Sequence, residues 1–153
     1  MKQMISEDTY KAIVRTSAAY DLVVTAPFMT PWTLTATLDL FHRLHSSLGL
    51  AGAVPSFETT HLLFAGLMGS VVVVWSLARL RLNLVVLGRY DAAARLFFAG
   101  WQIYAVANGA TPLLLVFTIF EIGFGIAQAL PVLAAVVEKS DGFSGSPRSR
   151  GSL

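Results

Sequence analysis

Long apolar runs joined by short polar connections dominate the chain. An α-helix of about 20 residues crosses the hydrocarbon core of a bilayer, and four segments approach or exceed that length. Arg15 and Asp21 interrupt the first segment, and the other three are more continuous. The pattern predicts an all-α fold, a polytopic membrane protein with a four-transmembrane-helix bundle. The predicted spans are residues 10–30, 60–80, 90–109 and 111–137.

The connection between the first two spans contains a further helical pattern over about 31–48. Thr30 suits a helix cap, Pro31 suits the first helical position, and Gly49 suits the end. Apolar residues recur at helical spacing along one side of this segment. We therefore expect an extra amphipathic helix in the first outer loop, lying at the membrane interface. Its apolar stripe consists of Leu34, Leu38, Phe41, Leu44 or His45, and Leu48.

Composition and charge placement agree with a membrane location. Hydrophobic residues make up 55% of the 153 and charged residues 13%, whereas soluble domains carry about 25% charge. Ten of the 11 Lys and Arg residues fall on one side of the predicted bundle, and Arg43 alone falls on the other. The positive-inside rule then places both termini in the cytoplasm. Because the basic residues flank the spans, nucleic-acid binding is not expected.

The chain is predicted to form one transmembrane domain followed by a tail. The domain covers residues 1–137. Residues 138–153 are rich in Ser, Gly and Arg, a composition typical of a disordered segment. The tail is expected on the cytoplasmic side.

Polar residues near the midplane form the first candidate site. Counted from the span ends, Asp21, Gln102 and Glu121 lie at similar depth, and Tyr104 is close to Gln102. Ionisable residues inside a span are costly and point to function. We predict a pocket that binds a quinone, a lipid-like molecule or a cation, in which Asp21 and Glu121 can share a proton or accept hydrogen bonds from the ligand or from neighbouring side chains. The structural alternative is that these groups hold the helices together.

Two arginines lie inside the predicted spans, close to their cytoplasmic ends. Arg15 and Arg95 lie about one turn in from the cytoplasmic face, where long side chains can extend to the headgroups. Asp91, four residues before Arg95, is expected to pair with it on one helix face.

The histidines form the second candidate site. His42, His45 and His61 all fall on the predicted outer side, together with Glu58. A Glu-x-x-His pair is half of a carboxylate-bridged metal site. A metal site built from His42, His45, Glu58 and His61 is one hypothesis. The alternatives are polar interfacial groups at helix ends, with Asp39 orienting His42, or a proton sensor.

Catalytic signatures are missing from the sequence. It contains no cysteine, which excludes thiolate ligands and cysteine nucleophiles. It also has no phosphate-binding loop, nucleophile elbow or zinc-protease motif. A role other than catalysis is therefore favoured, and no cofactor can be named.

The architecture resembles the DoxX-like family of small four-helix bacterial membrane proteins. The resemblance covers residues 10–137 and rests on the four spans, the long first outer connection, the basic connection "LARLRLNLVVLGRYDAAAR" and the tight last hairpin. It implies an inner-membrane location and a role as an accessory or interaction subunit of a larger, possibly redox, complex. Its partners would be other membrane subunits or further copies of the chain. The alternatives are an intramembrane binder or enzyme for a hydrophobic small molecule, and an outer-face metal-binding protein.

Overall fold

The computed structural model describes residues 5–132, and helices make up most of this range. The all-α prediction is confirmed, and residues 5–132 contain no strand. The predicted tail and the last part of the fourth predicted span lie outside the described residues. The helices are α1 (Glu7–Thr25), a short 3-10 helix (Ala26–Met29), α2 (Pro31–Ser47), α3 (Thr59–Leu82), α4 (Val85–Ala107) and α5 (Leu114–Ala129).

Side-chain caps fix the starts of α1 and α2. The hydroxyl of Ser6 accepts a hydrogen bond from the Thr9 amide at 3.2 Å. The hydroxyl of Thr30 accepts one from the Thr33 amide at 3.3 Å, and Pro31 occupies the first turn. Each cap satisfies an amide that the helix itself leaves unpaired. α2 thus begins where the sequence predicts a helix over 31–48.

Turn residues separate the later helices. α3 ends at Leu82 and is followed by Asn83, whose φ of 45° is left-handed, a conformation that asparagine tolerates better than most residues. Gly109, with φ 94°, turns the chain between α4 and α5. α5 ends at Ala129, two residues before Pro131. Leu130 is extended, as expected of a residue before proline.

α1 occupies the centre of the arrangement. It packs against α3, α4 and α5, while α4 and α5 pack side by side. α2 contacts α3 and the 3-10 helix. Gly88 permits the close approach of α1 and α4. A Cβ at that position would lie 2.6 Å from Cγ2 of Val14 and 2.7 Å from the Tyr10 hydroxyl.

Among the described helices, α3 alone is long and apolar enough to cross a membrane by length and composition. α5 is strongly apolar but has 16 residues. α1 and α4 each carry several charged residues. Much of the apolar surface faces outward, and the largest fully buried side chains are Arg79 and Arg95. The protein is therefore helical with one candidate membrane span, and most of the buried side chains among the described residues are polar or charged.

Candidate functional site

Five charged side chains from four helices meet in the interior. We call them the ion cluster: Asp21 of α1, Arg79 of α3, Asp91 and Arg95 of α4, and Glu121 of α5. Arg79 is 0% exposed and Arg95 is 2% exposed. Charges buried to this extent need charged or hydrogen-bonding partners, because removal from water is costly.

Arg95 contacts all three carboxylates of the ion cluster. Its Nη2 donates to Oδ2 of Asp21 at 2.6 Å, and its Nη1 donates to Oε2 of Glu121 at 2.7 Å. Its Nε donates to Oδ2 of Asp91 at 3.0 Å, one helical turn away. The predicted Asp91–Arg95 pair is confirmed. The prediction that Arg95 extends to the membrane surface was wrong, because these three carboxylates hold its guanidinium inside the protein.

Arg79 binds two of the same carboxylates. Its Nη2 donates to Oδ2 of Asp21 at 2.5 Å, and its Nη1 lies 2.5 Å from Oδ2 of Asp91. Asp21 Oδ2 therefore accepts from both arginines. This convergence ties α1, α3 and α4 together through charge-assisted hydrogen bonds, the stronger class of hydrogen bond.

Neutral groups complete the ion cluster. The Ser17 hydroxyl accepts from Arg95 Nη2 and from Gln128 Nε2, each at 2.8 Å, and donates to Asp91 Oδ2 at 3.1 Å. The indole of Trp75 donates to the other oxygen of Asp91 at 3.0 Å. Both oxygens of Asp91 thus have partners.

A cavity of about 540 Å³ adjoins one side of the ion cluster. Its walls come from α1, the 3-10 helix and all four remaining helices, and α2 contributes Thr37, Leu40 and Phe41. Apolar side chains form most of the wall, among them Phe28, Phe98 and Phe117. The polar or ionisable lining residues are Tyr20, Asp21, Thr25, Thr37, Gln102 and Glu121.

The cavity meets the carboxylate side of the ion cluster. The side chains of Asp21 and Glu121 are 11% and 10% exposed, whereas that of Asp91 is 4% exposed. Asp21 and Glu121 line the cavity, but Arg79 and Arg95 do not. The guanidinium groups thus lie behind the carboxylates when viewed from the cavity.

Three of the four predicted ligand-binding residues share this cavity: Asp21, Gln102 and Glu121. Oε1 of Gln102 accepts a hydrogen bond from the Thr118 hydroxyl at 2.8 Å. Tyr104 does not line the cavity; it is 60% exposed and meets Trp101 edge to face at 5.7 Å between ring centroids. Asp21 and Glu121 are both bound to Arg95, so a cation bridges them in place of the predicted shared proton.

The predicted metal-site residues contact separate partners instead of converging on one point. Nδ1 of His42 lies 2.8 Å from the Leu38 carbonyl oxygen, and Nδ1 of His45 lies 3.0 Å from the Thr111 hydroxyl. Glu58 and His61 form a reciprocal capping box at the start of α3. Across residues 5–132, no group of three or more His, Asp and Glu side chains is arranged to hold a metal ion. The bond to Leu38 also means that Nδ1 of His42 is not oriented by Asp39.

Sequence reasoning missed Arg79 and Asp91 as members of the candidate site, together with Ser17 and Gln128. Arg79 lies near the end of an apolar run, a position typical of a charge that flanks a membrane span. The signal was the spacing of polar residues at one helical turn: Ser17 with Asp21, and Ser76 with Arg79. Such spacing marks one polar face on each helix.

Comparisons with known proteins gave no match: no family model, curated protein or solved structure resembles this chain closely enough to be counted.

Proposed function

We propose that this chain is a four-span membrane protein that binds a hydrophobic small molecule in the cavity beside the ion cluster. The ligand would have an apolar body, as quinones and lipids do, and a polar group that reaches Asp21 and Glu121. The observation that carries the proposal is the cavity itself, about 540 Å³ of mostly apolar wall ending at two partly exposed carboxylates. Ligand pockets typically combine such a wall with a few convergent polar groups.

The distribution of side chains supports a membrane environment. Val71 and Val74 of α3, Phe97 of α4 and Ile119 of α5 are all well over half exposed. A soluble protein rarely leaves so many large apolar side chains exposed to water. Lipid would cover this surface without cost.

The ion cluster explains how α1 and α4 can cross a bilayer although neither qualifies by composition. Asp21, Asp91 and Arg95 satisfy one another across the bundle, so the cost of a lone charge in hydrocarbon is largely offset. At about 1.5 Å per residue, the 19 residues of α1 and the 23 of α4 extend about 28 Å and 35 Å. The hydrocarbon core is about 30 Å thick.

Cysteine labelling tests the span number and the orientation. The natural chain has no cysteine, so single substitutions report one position each. Ser47→Cys at the end of α2 and Asn108→Cys just after α4 should react with a membrane-impermeant maleimide from outside the cell. Arg81→Cys, near the end of α3, should react only after the membrane is opened. Equal reactivity at all three positions in intact cells would reject the four-span topology.

Binding is tested by filling the cavity. Ala65 lines the cavity, whereas Ala93 on α4 is exposed and does not. Protein extracted in a mild detergent should carry a small molecule visible by native mass spectrometry. Ala65→Phe should remove that added mass, and the matched control Ala93→Phe should retain it. Equal retention in both variants, or no bound mass in the natural protein, would contradict the proposal.

The accessory-subunit prediction remains a second proposal, supported by the architectural resemblance, the short connections and the lack of catalytic motifs in the sequence. The same purification tests it, since a subunit of a larger complex should bring a second polypeptide in fixed ratio. A monomer without other polypeptides, carrying only the small molecule, would favour the binding function instead.

A further inference from the structure

The charges within the ion cluster do not balance. Three carboxylates surround two guanidinium groups, so the fully ionised cluster carries one excess negative charge. In an apolar interior, an uncompensated charge is expensive. A positive group from outside the cluster would therefore be stabilised there.

Unused hydrogen-bonding capacity is found on the cavity side. Arg79 and Arg95 occupy Oδ2 of Asp21, and Arg95 occupies Oε2 of Glu121. Within residues 5–132, Oδ1 of Asp21 and Oε1 of Glu121 accept no hydrogen bond, and neither atom is sealed from solvent. An ionised carboxylate accepts hydrogen bonds at both oxygens. Two acceptor sites thus remain open beside the cavity.

The positive groups cannot take part in ligand binding from their position. The side chains of Arg79 and Arg95 are 0% and 2% exposed, and neither lines the cavity. Asp21 and Glu121 are the charged residues in the described wall of the cavity, so a charged group of a ligand would meet carboxylate oxygens. Anionic groups, such as phosphate or carboxylate, would be repelled at this contact, whereas a cationic donor would gain charge-assisted hydrogen bonds.

We infer that the molecule bound in this cavity is a cationic amphiphile, with a protonated amine seated between Asp21 and Glu121 and an apolar body among the phenylalanines. This inference rests on the proposed binding function and names its ligand class. Phe41 and Phe117, whose ring centroids are 6.0 Å apart, belong to the apolar wall. The amine would bring the total charge of cluster and ligand to zero.

A matched set of probes tests the charge preference. The probes are a dodecyl tertiary amine, its neutral carbon isostere and dodecanoate, each titrated into the protein in lipid nanodiscs and read by native mass spectrometry. The amine should bind roughly tenfold or more tightly than the isostere, as expected for one charge-assisted contact, and dodecanoate should bind most weakly.

Glu121→Gln is the decisive variant. It leaves two carboxylates and two guanidinium groups in the ion cluster, so the excess negative charge is removed. It should reduce the preference for the amine to about twofold or less while the neutral isostere binds as before. Asp39→Asn, an exposed carboxylate on α2, is the matched control and should keep the full preference. Glu121→Asp retains the charge and should keep part of the preference if Glu121→Gln proves too unstable to purify.

The outcomes separate this inference from the proposed function. Equal binding of the amine and the isostere to the natural protein would overturn the cationic class, and it would mean that a proton already neutralises the cluster. The binding function would then still stand. Binding of none of the probes, with no endogenous small molecule retained, would overturn both.

Discussion

Two groups of ionisable residues in this protein are similar in size but differ in how their members are arranged. The ion cluster draws Asp21, Arg79, Asp91, Arg95 and Glu121 from four helices into one contact network. The second group, which we call the histidine group, consists of His42, His45, Glu58 and His61, and each of its members is satisfied locally or by one neighbour. The members of the histidine group are close in sequence but do not form a cluster. The members of the ion cluster meet although they lie up to 100 residues apart in sequence. Shared burial on facing helices determines which polar residues meet.

The largest expected effect comes from breaking the ion cluster. Arg95→Met would leave Glu121 without its arginine and Asp21 and Asp91 with Arg79 alone. Removing one partner of a buried ion pair costs about 3–5 kcal/mol of unfolding free energy. Thermal or denaturant unfolding in mild detergent measures this loss. Arg43→Met, at an exposed position in α2, should change the unfolding free energy by less than about 0.5 kcal/mol. Equal losses for both would contradict the structure.

A double-mutant cycle sharpens the comparison. Arg79→Met and Asp21→Asn each remove one partner of the same hydrogen bond. The loss of unfolding free energy in the double variant should therefore be about 1–3 kcal/mol smaller than the sum of the losses in the two single variants. His42→Ala and His61→Ala share no contact and should be additive within about 0.5 kcal/mol. Strong coupling between the two histidines would revive the metal-site hypothesis.

The capping box predicts an intermediate effect. His61→Ala removes the side chain that accepts a hydrogen bond from the Glu58 amide at 3.2 Å. Loss of a helix cap costs about 1 kcal/mol. Unfolding measurements should find a loss near that value, and hydrogen exchange should increase in the first turn of α3. Unchanged amide hydrogen exchange in that turn would mean that the capping box does not stabilise the start of α3.

The smallest effect is expected at His42. Among the described residues, its ring contacts the carbonyl of Leu38 alone, at an exposed site, so His42→Ala should lower the unfolding free energy by less than about 0.5 kcal/mol. His45→Ala should cost about 1 kcal/mol, because His45 reaches Thr111 across 66 residues at a part-buried site. A larger loss for His42 than for His45 would reverse this order and reject the assigned contacts.

The sequence predicted the helices well because helical periodicity and caps are local signals. It also predicted the Asp91–Arg95 pair, which lies on one helix. It placed Asp21, Gln102 and Glu121 at one depth, and the structure brings them to one cavity. Depth along a helix does not reveal which face points inward. The sequence therefore predicts Tyr104 as a ligand-binding residue, although its side chain points outward. Pairing between helices is equally invisible from a single helix, so Arg79 and Arg95 were assigned to the protein's edge.

The convergence on Asp21 also has a consequence for the order in which the protein is made. Asp21 is synthesised 58 residues before Arg79 and 74 residues before Arg95. Until both arginines have left the ribosome, the carboxylate of α1 has no counter-ion in its final site. We therefore expect the packing of α1 to be completed only after α3 and α4 have been synthesised, with the Asp21 carboxylate hydrated or sheltered until then.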